Sequence, residues 1–167
     1  THNRAQLLKK SIESIRSQTM QNFEIILIDD ASQDETPDQI QEISRTDSRI
    51  RCYRSERNLG PGAARNHGIL QARGNFIAIL DDDDIALPER LDVQASILLN
   101  DPEIDLVFSS VDWMDSGGAE IGKFPGIVLR GEFPSNPSEV FKLLYLQGNK
   151  IPNTTVMAKR DVFLEFP

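Results

Sequence analysis

The sequence predicts an α/β domain of three layers, with helices on both faces of a mostly parallel central sheet. Three observations carry that prediction. Segments of helical period alternate with short apolar segments through residue 111, the pattern of successive strand–helix units. Two apolar runs, residues 23–28 (FEIILI) and 76–80 (FIAIL), are continuous, as strands buried on both faces are. Both runs end on aspartates, and open α/β sheets bind ligands outside the carboxyl ends of their strands. The 167 residues are enough for one domain with a sizeable core and contain no internal repeat or linker.

Each element has its own local signal. Leu8, Ile12 and Ile15 share one face of an amphipathic helix over residues 6–18. Strand 23–28 follows and stops at Asp29 and Asp30. Thr36-Pro37 reads as an N-cap with proline at the first helical position, so a short helix follows with Ile40 and Ile43 inward. Residues 49–54 alternate Ile50 and Cys52 with Arg51 and Tyr53, a strand. The turn NLGPGAARNHG (58–68) enters a helix that ends near Gly74. Strand 76–80 then runs into Asp81, Asp82, Asp83 and Asp84, and a helix over 88–99 places Leu91, Ala95 and Leu98 on one face. Asn100-Asp101-Pro102 stops it. Further strands are predicted at 106–111 and 154–158, a hairpin turn at Gly117-Gly118, a long loop over 122–138, a helix over 139–147 and a helix start at Arg160. The break in alternation after residue 111 predicts an added antiparallel strand.

Composition narrows the function. The chain is 39% hydrophobic and 26% charged, ordinary for a globular domain, with a net charge of −8. That balance argues against a nucleic-acid surface, which needs a basic stripe. It leaves open an anionic ligand carried on a metal, because a bound cation inverts the local field. The one cysteine, Cys52, can form neither an internal disulfide nor a zinc cluster, which suits a reducing, cytoplasmic setting. No apolar run reaches membrane-spanning length.

Four groups could carry chemistry. The run Asp81–Asp84 concentrates carboxylates that repel unless water or a cation compensates. Mg²⁺ and Mn²⁺ prefer oxygen ligands, and Mg²⁺ usually takes one or two carboxylates plus substrate phosphates. Four in a row at the end of a buried strand favour such a site over a solvated acidic loop before a helix. Asp29-Asp30 reads equally as a turn with helix caps or as an acceptor for a ligand amide N–H. In the 58–68 turn, Gly60 and Gly62 allow close backbone approach to an anion or merely pack a helix; no dinucleotide or P-loop fingerprint is present. Thr1-His2-Asn3-Arg4 is a capping turn, or places the His2 ring against a base. His67 and Trp113 read as structural.

Four stretches together, THNR with a helix ending SIRSQT, FEIILIDDASQDET, NLGPGAARNHG and FIAILDDDDIALPERL, resemble the family 2 glycosyltransferases in the same order. The resemblance covers residues 1 to 111 and continues more weakly to the end. It implies the GT-A fold, a Rossmann-like nucleotide-binding domain, and transfer of a sugar from a nucleotide donor to an acceptor hydroxyl with inversion. By family frequency the donor is linked to UDP. Thr1 and His2 would line the nucleobase pocket, His2 standing where the family often has an aromatic ring, with Arg4 beside them among the nucleotide-binding residues. Asp30 would bind the base, and Arg65 would approach it. The acidic run matches the D-x-D motif: Asp81 or Asp82 would contact the ribose and the metal shell, and Asp83 would ligate Mn²⁺ or Mg²⁺. Asp84 and Pro88 match the usual continuation.

The same resemblance places the catalytic base in a later acidic pair. Residues 153–164 resemble the segment just before that pair, so the base is expected beyond Pro167. The chain is therefore expected to be a single glycosyltransferase domain over 1–167, truncated at both ends, lacking a strand before Thr1 and the acceptor and base region after Pro167. The partners implied are a nucleotide-sugar donor and a carbohydrate or lipid-linked acceptor, in polysaccharide or cell-envelope biosynthesis. The setting implied is cytoplasmic, at the inner face of a membrane, with peripheral association through regions outside the sequence. Two other readings stand beside it. One is a donor-binding or interaction module without catalysis; the other is a receiver-like signalling domain, disfavoured because such a domain uses a single phospho-accepting aspartate where this chain has four.

Overall fold

The computed structural model describes residues 1–124, 136 and 151–165. They form two compact units, Thr1–Val107 with Met157–Pro167, and Phe108–Val156.

The first unit is α/β, as the alternating pattern predicts. Strands β1 (Ile25–Asp29) and β2 (Ile50–Arg54) pair in parallel, Leu27 opposite Cys52. On one face of β1, Leu27 packs with Leu8 and Ile12 of α1 (Ala5–Arg16), Ile40 of α2 (Thr36–Thr46) and Ile50. Its other face, Ile26 and Ile28, meets α3 (Pro61–Gln71) at Gly68. A Cβ there would stand 3.3 Å from Ile28 Cγ1, so the glycine lets the helix close onto the strand. Gly60 is needed for a different reason: at φ 85° it takes a left-handed backbone just before Pro61 opens α3. Helices thus cover both faces of β1, the three-layer arrangement.

A second sheet in this unit is antiparallel. Strand β3 (Phe76–Ala78) and strand β4 (Leu106–Val107) each pair antiparallel with β7 (Met157–Lys159), which lies between them. β7 is the predicted antiparallel addition, begun three residues later than expected because 153–155 form a 3₁₀ turn. Leu91, Ala95 and Leu98 of α4 (Arg90–Asn100) pack with Met157, Phe76 and Val107, the inward face read from the sequence. α5 (Arg160–Glu165) follows β7 directly. Strand β3 departs from expectation. It has three residues rather than five, and only Ile77 is buried, with Ala78 exposed. Among the described residues it pairs along one edge alone, with β7, so the apolar run read as a fully buried strand is only partly covered. Thr36 is likewise not the cap of α2. Its own N–H is capped by Asp34 Oδ1 (3.0 Å), and its hydroxyl accepts from Arg4 N instead.

The second unit holds a hairpin, β5 (Val111–Met114) and β6 (Glu120–Phe124). Asp115 Oδ1 accepts from the N–H groups of Gly117 and Ala119 across the turn, and Gly118 supplies φ 88°. The strand expected over 106–111 is broken between Val107 and Val111, and residues 122–124, expected in a loop, belong to β6. Trp113 stacks on Phe124 (centroids 6.0 Å apart) and covers Gly122, a structural role. The expected helix over 139–147 lies outside the described residues.

Candidate functional site

The acidic loop after β3 is laid along α1 by three buried polar side chains. Ser11 Oγ donates to Asp81 O (3.3 Å), and Ser14 Oγ accepts from Ala86 N (3.1 Å). Gln18, 1% exposed, donates to Leu87 O (2.7 Å) and accepts from Leu91 N (3.0 Å). Ser11 and Ser14 lie on one side of α1, next to the Leu8–Ile12 stripe, and Gln18 follows just past the end of the helix. Glu89, the N-cap of α4, makes no side-chain cap, so Gln18, just past the end of α1, supplies the partner that the first-turn amide of Leu91 lacks. Arg90 secures the strand end, its Nη2 donating to Ile79 O (2.7 Å). Burial lowers the Arg90 guanidinium to about 10 despite the opposing charge of Asp84.

Two arginines meet the carboxylates. Arg4 Nη1 donates to Asp82 Oδ1 (3.0 Å) and to Asp83 Oδ2 (2.6 Å). Arg65 Nη2 reaches Asp81 Oδ1 (3.1 Å). The charge of Asp82 leads in raising the Arg4 guanidinium above its ordinary value, against a smaller loss from burial and with Asp83 adding to the rise. The other oxygen of Asp82, Oδ2, is buried with no hydrogen-bond partner among the described residues. Among the described residues no three His, Cys, Asp or Glu side chains converge as a closed metal cage. A divalent cation here would therefore take one or two carboxylates and fill its shell from water and phosphate, the habit of Mg²⁺. The donor set fits such an ion. Two neighbouring carboxylates already aim one oxygen each at a single cationic nitrogen, beside a third oxygen that nothing satisfies.

A second cluster forms at the carboxyl end of β1. Thr1 lies alongside it, its nitrogen donating to Ile28 O (2.7 Å) and its carbonyl accepting from Asp30 N (2.9 Å). Thr1 Oγ1 is buried without a partner among the described residues. His2 Nδ1 contacts Asp30 O (2.8 Å). The Asp30 side chain is buried and accepts N–H bonds from Leu59 (3.0 Å) and Gly60 (2.8 Å). Burial pushes its carboxyl up, but those N–H bonds and the nearby His2 outweigh it and hold the group below the usual carboxylate range. Asp30 thereby ties the end of β1 to the glycine turn before α3. Ala31, next along, is held at φ 62°, a left-handed conformation strained for a residue with a side chain.

The residues picked out from the sequence thus fall into two groups joined by the 1–4 turn. Thr1, His2 and Asp30 gather at the end of β1; Arg4, Arg65, Asp81, Asp82 and Asp83 gather after β3. The 1–4 turn itself is fixed by Asn3 N donating to Ser32 Oγ (2.9 Å) and Arg4 N to Thr36 Oγ1 (3.2 Å). His67 stays structural, its ring 5.6 Å from that of Tyr53. Sequence reasoning missed Ser11, Ser14 and Gln18. Their signal was polar residues at helical spacing flanking an apolar stripe.

Glycosyl transferase family 2 matches residues 1–160 of the chain. An uncharacterized glycosyltransferase of Methanocaldococcus jannaschii is 46% identical over 118 residues, 70% of this chain and 41% of that protein. S. aureus TarS 1–349, solved in complex with UDP, has a TM-score of 0.73 at 23% identity, over 99% of this chain and 46% of that one. A mannosyltransferase from Pyrobaculum calidifontis, solved with GDP-Man and Mn²⁺, has a TM-score of 0.69 at 19% identity, over 99% of this chain and 44% of that one. The chain spans under half the length of each of these proteins.

Proposed function

The chain belongs to glycosyl transferase family 2, and on that premise we propose that it forms the donor-binding part of a metal-dependent, inverting glycosyltransferase. Its GT-A fold is shared with the two solved enzymes. The observation that carries the proposal is the convergence of Asp82 and Asp83 on one cationic nitrogen beside the unpartnered Asp82 Oδ2.

In this reading Asp83 and Asp82 hold Mn²⁺ or Mg²⁺. When bound, the metal stabilises the negative charge that develops on the departing diphosphate. Asp81 orients the ribose, Arg65 holds Asp81 in place from α3, and Thr1 and His2 form a wall of the base pocket with Asp30 behind them. Ser11, Ser14 and Gln18 keep the carboxylates in register with the end of β3. The donor is a nucleotide sugar, with UDP the favoured nucleotide by family frequency; the solved relatives were captured with UDP and with GDP-Man. The acceptor is a carbohydrate or a lipid-linked glycan, and the base that deprotonates its hydroxyl is supplied outside residues 1–167. The setting proposed is the cytoplasm, at the inner face of a membrane; among the described residues no helix is long and apolar enough to cross one.

Calorimetric titration of the full chain with UDP and GDP, with and without Mn²⁺, tests the proposal. Binding of one nucleotide that requires the metal supports it. Binding equal with and without metal, or none by folded protein, refutes it.

A further inference from the structure

We propose that Arg4 is a resident counter-cation of the acidic loop that exchanges partners when the site fills. In the metal-free form its guanidinium holds Asp82 and Asp83; when a divalent cation takes those carboxylates, Arg4 swings onto the diphosphate of the same ligand. The inference rests on the metal reading of Asp82 and Asp83 and adds a competitor to it.

The geometry sets up the exchange. A single nitrogen, Nη1, donates to both carboxylates, so the guanidinium and a metal ion compete for the same two oxygens. A metal ion on the same two carboxylates would bring a second positive charge against the guanidinium, and the two would repel. The backbone of Arg4 is fixed: its N–H is held by Thr36 Oγ1, and its carbonyl accepts from Leu7 and Leu8 at the start of α1. The head group is not fixed in that way. Its side chain is 45% exposed and reaches out from an anchored base, so it can move without disturbing the fold. Displaced from the aspartates, it is a free planar cation beside the metal, suited to bidentate recognition of phosphate oxygens. The Arg65–Asp81 pair, on a different carboxylate, is left standing.

The exchange predicts opposite signs in two measurements on one variant. Arg4→Gln removes the competitor, and Mn²⁺ binding without nucleotide, followed by the loss of the free-ion electron paramagnetic resonance signal, should tighten about fivefold or more, since each exposed ion pair is worth up to roughly that factor. Nucleoside diphosphate binding at saturating Mn²⁺, followed by calorimetry, should weaken about tenfold, the loss of one charged phosphate contact. A merely structural Arg4 would weaken both. Arg4→Lys, which keeps the charge, should leave the Mn²⁺ affinity near that of the wild type and serves if the glutamine variant folds poorly. Asp83→Ala measured alongside separates the two ideas. If Asp83→Ala binds Mn²⁺ like the wild type, the metal reading itself fails. If it loses Mn²⁺ while Arg4→Gln binds the ion no tighter than the wild type, the metal reading stands and the exchange is overturned.

Discussion

Gln18 joins two helices and the acidic loop through one amide, which makes it a sensitive probe of the scaffold. Gln18→Ala removes the acceptor of the Leu91 N–H, which has no intrahelical partner and lies in the buried first turn of α4. A buried donor left unsatisfied costs ~1–3 kcal/mol. The hydrogen bond to Leu87 O contributes about 1 kcal/mol more; that carbonyl keeps Arg90 N–H, so it is not orphaned. The void left by a side chain that is 1% exposed adds about 1 kcal/mol. The expected loss is therefore about 3–5 kcal/mol, read as a fall in unfolding free energy by urea titration. Gln18→Met keeps the volume and removes the hydrogen bonds, and should cost about 2–4 kcal/mol on the same reasoning. Hydrogen exchange at the Leu91 amide should speed up in both variants. A loss under about 1 kcal/mol with unchanged exchange at Leu91 would refute the idea that Gln18 supports the loop through that bond.

Two further predictions follow from the electrostatics and the backbone. Ala31→Gly relieves a left-handed residue, worth ~1–2 kcal/mol, at an unfolded-state cost of ~0.4–1 kcal/mol, so the variant should be more stable by about 0.5–1 kcal/mol in the same urea experiment. Asp47, held by Arg49 against the opposing effect of burial and lowered to about 2, gains its stabilising charge in the folded state. That contribution is complete above the unfolded carboxyl value near 3.9 and disappears as pH falls through about 2. Asp47→Asn should therefore lower stability by about 1 kcal/mol at pH 6, after allowance for solvent screening, and close the gap to the wild type near pH 2.

How much the sequence revealed depended on how local each signal was. The core faces of α1, α2 and α4 were readable because Leu8, Ile12, Ile40, Leu91 and Leu98 repeat at the helical period within one segment. The hairpin was readable from Gly117-Gly118 alone. The burial of strand 76–80 was not, because an apolar run reports affinity for a core without saying how many neighbours cover it. The acidic run marked a candidate site by its charge, but the partners of those charges lie far away in sequence. Arg4 is 78 and 79 residues from the carboxylates it bridges, and Gln18 is 73 from Leu91. Ser11, Ser14 and Gln18 carry no such signal, because polar residues flanking an apolar helical stripe usually face solvent. Only the tertiary fold shows that they meet backbone rather than water. Asp30 lies between these cases. Its position at the end of a strand marked it as an acceptor, and the structure adds that the Leu59 and Gly60 amides occupy it.

The central claim is that Asp83 carries the metal on which nucleotide binding depends. It is tested most directly by titrating Asp83→Ala with the nucleoside diphosphate that the wild type prefers, at saturating Mn²⁺. Asp83 is exposed and its one ion pair is with a half-exposed arginine, so the variant should keep its unfolding free energy within about 0.5 kcal/mol. Its nucleotide affinity should fall by a factor of roughly 100 or more, the usual scale for loss of a charged contact with a metal or its ligands. A folded Asp83→Ala protein that binds nucleotide as tightly as the wild type, with the same dependence on Mn²⁺, would contradict the account.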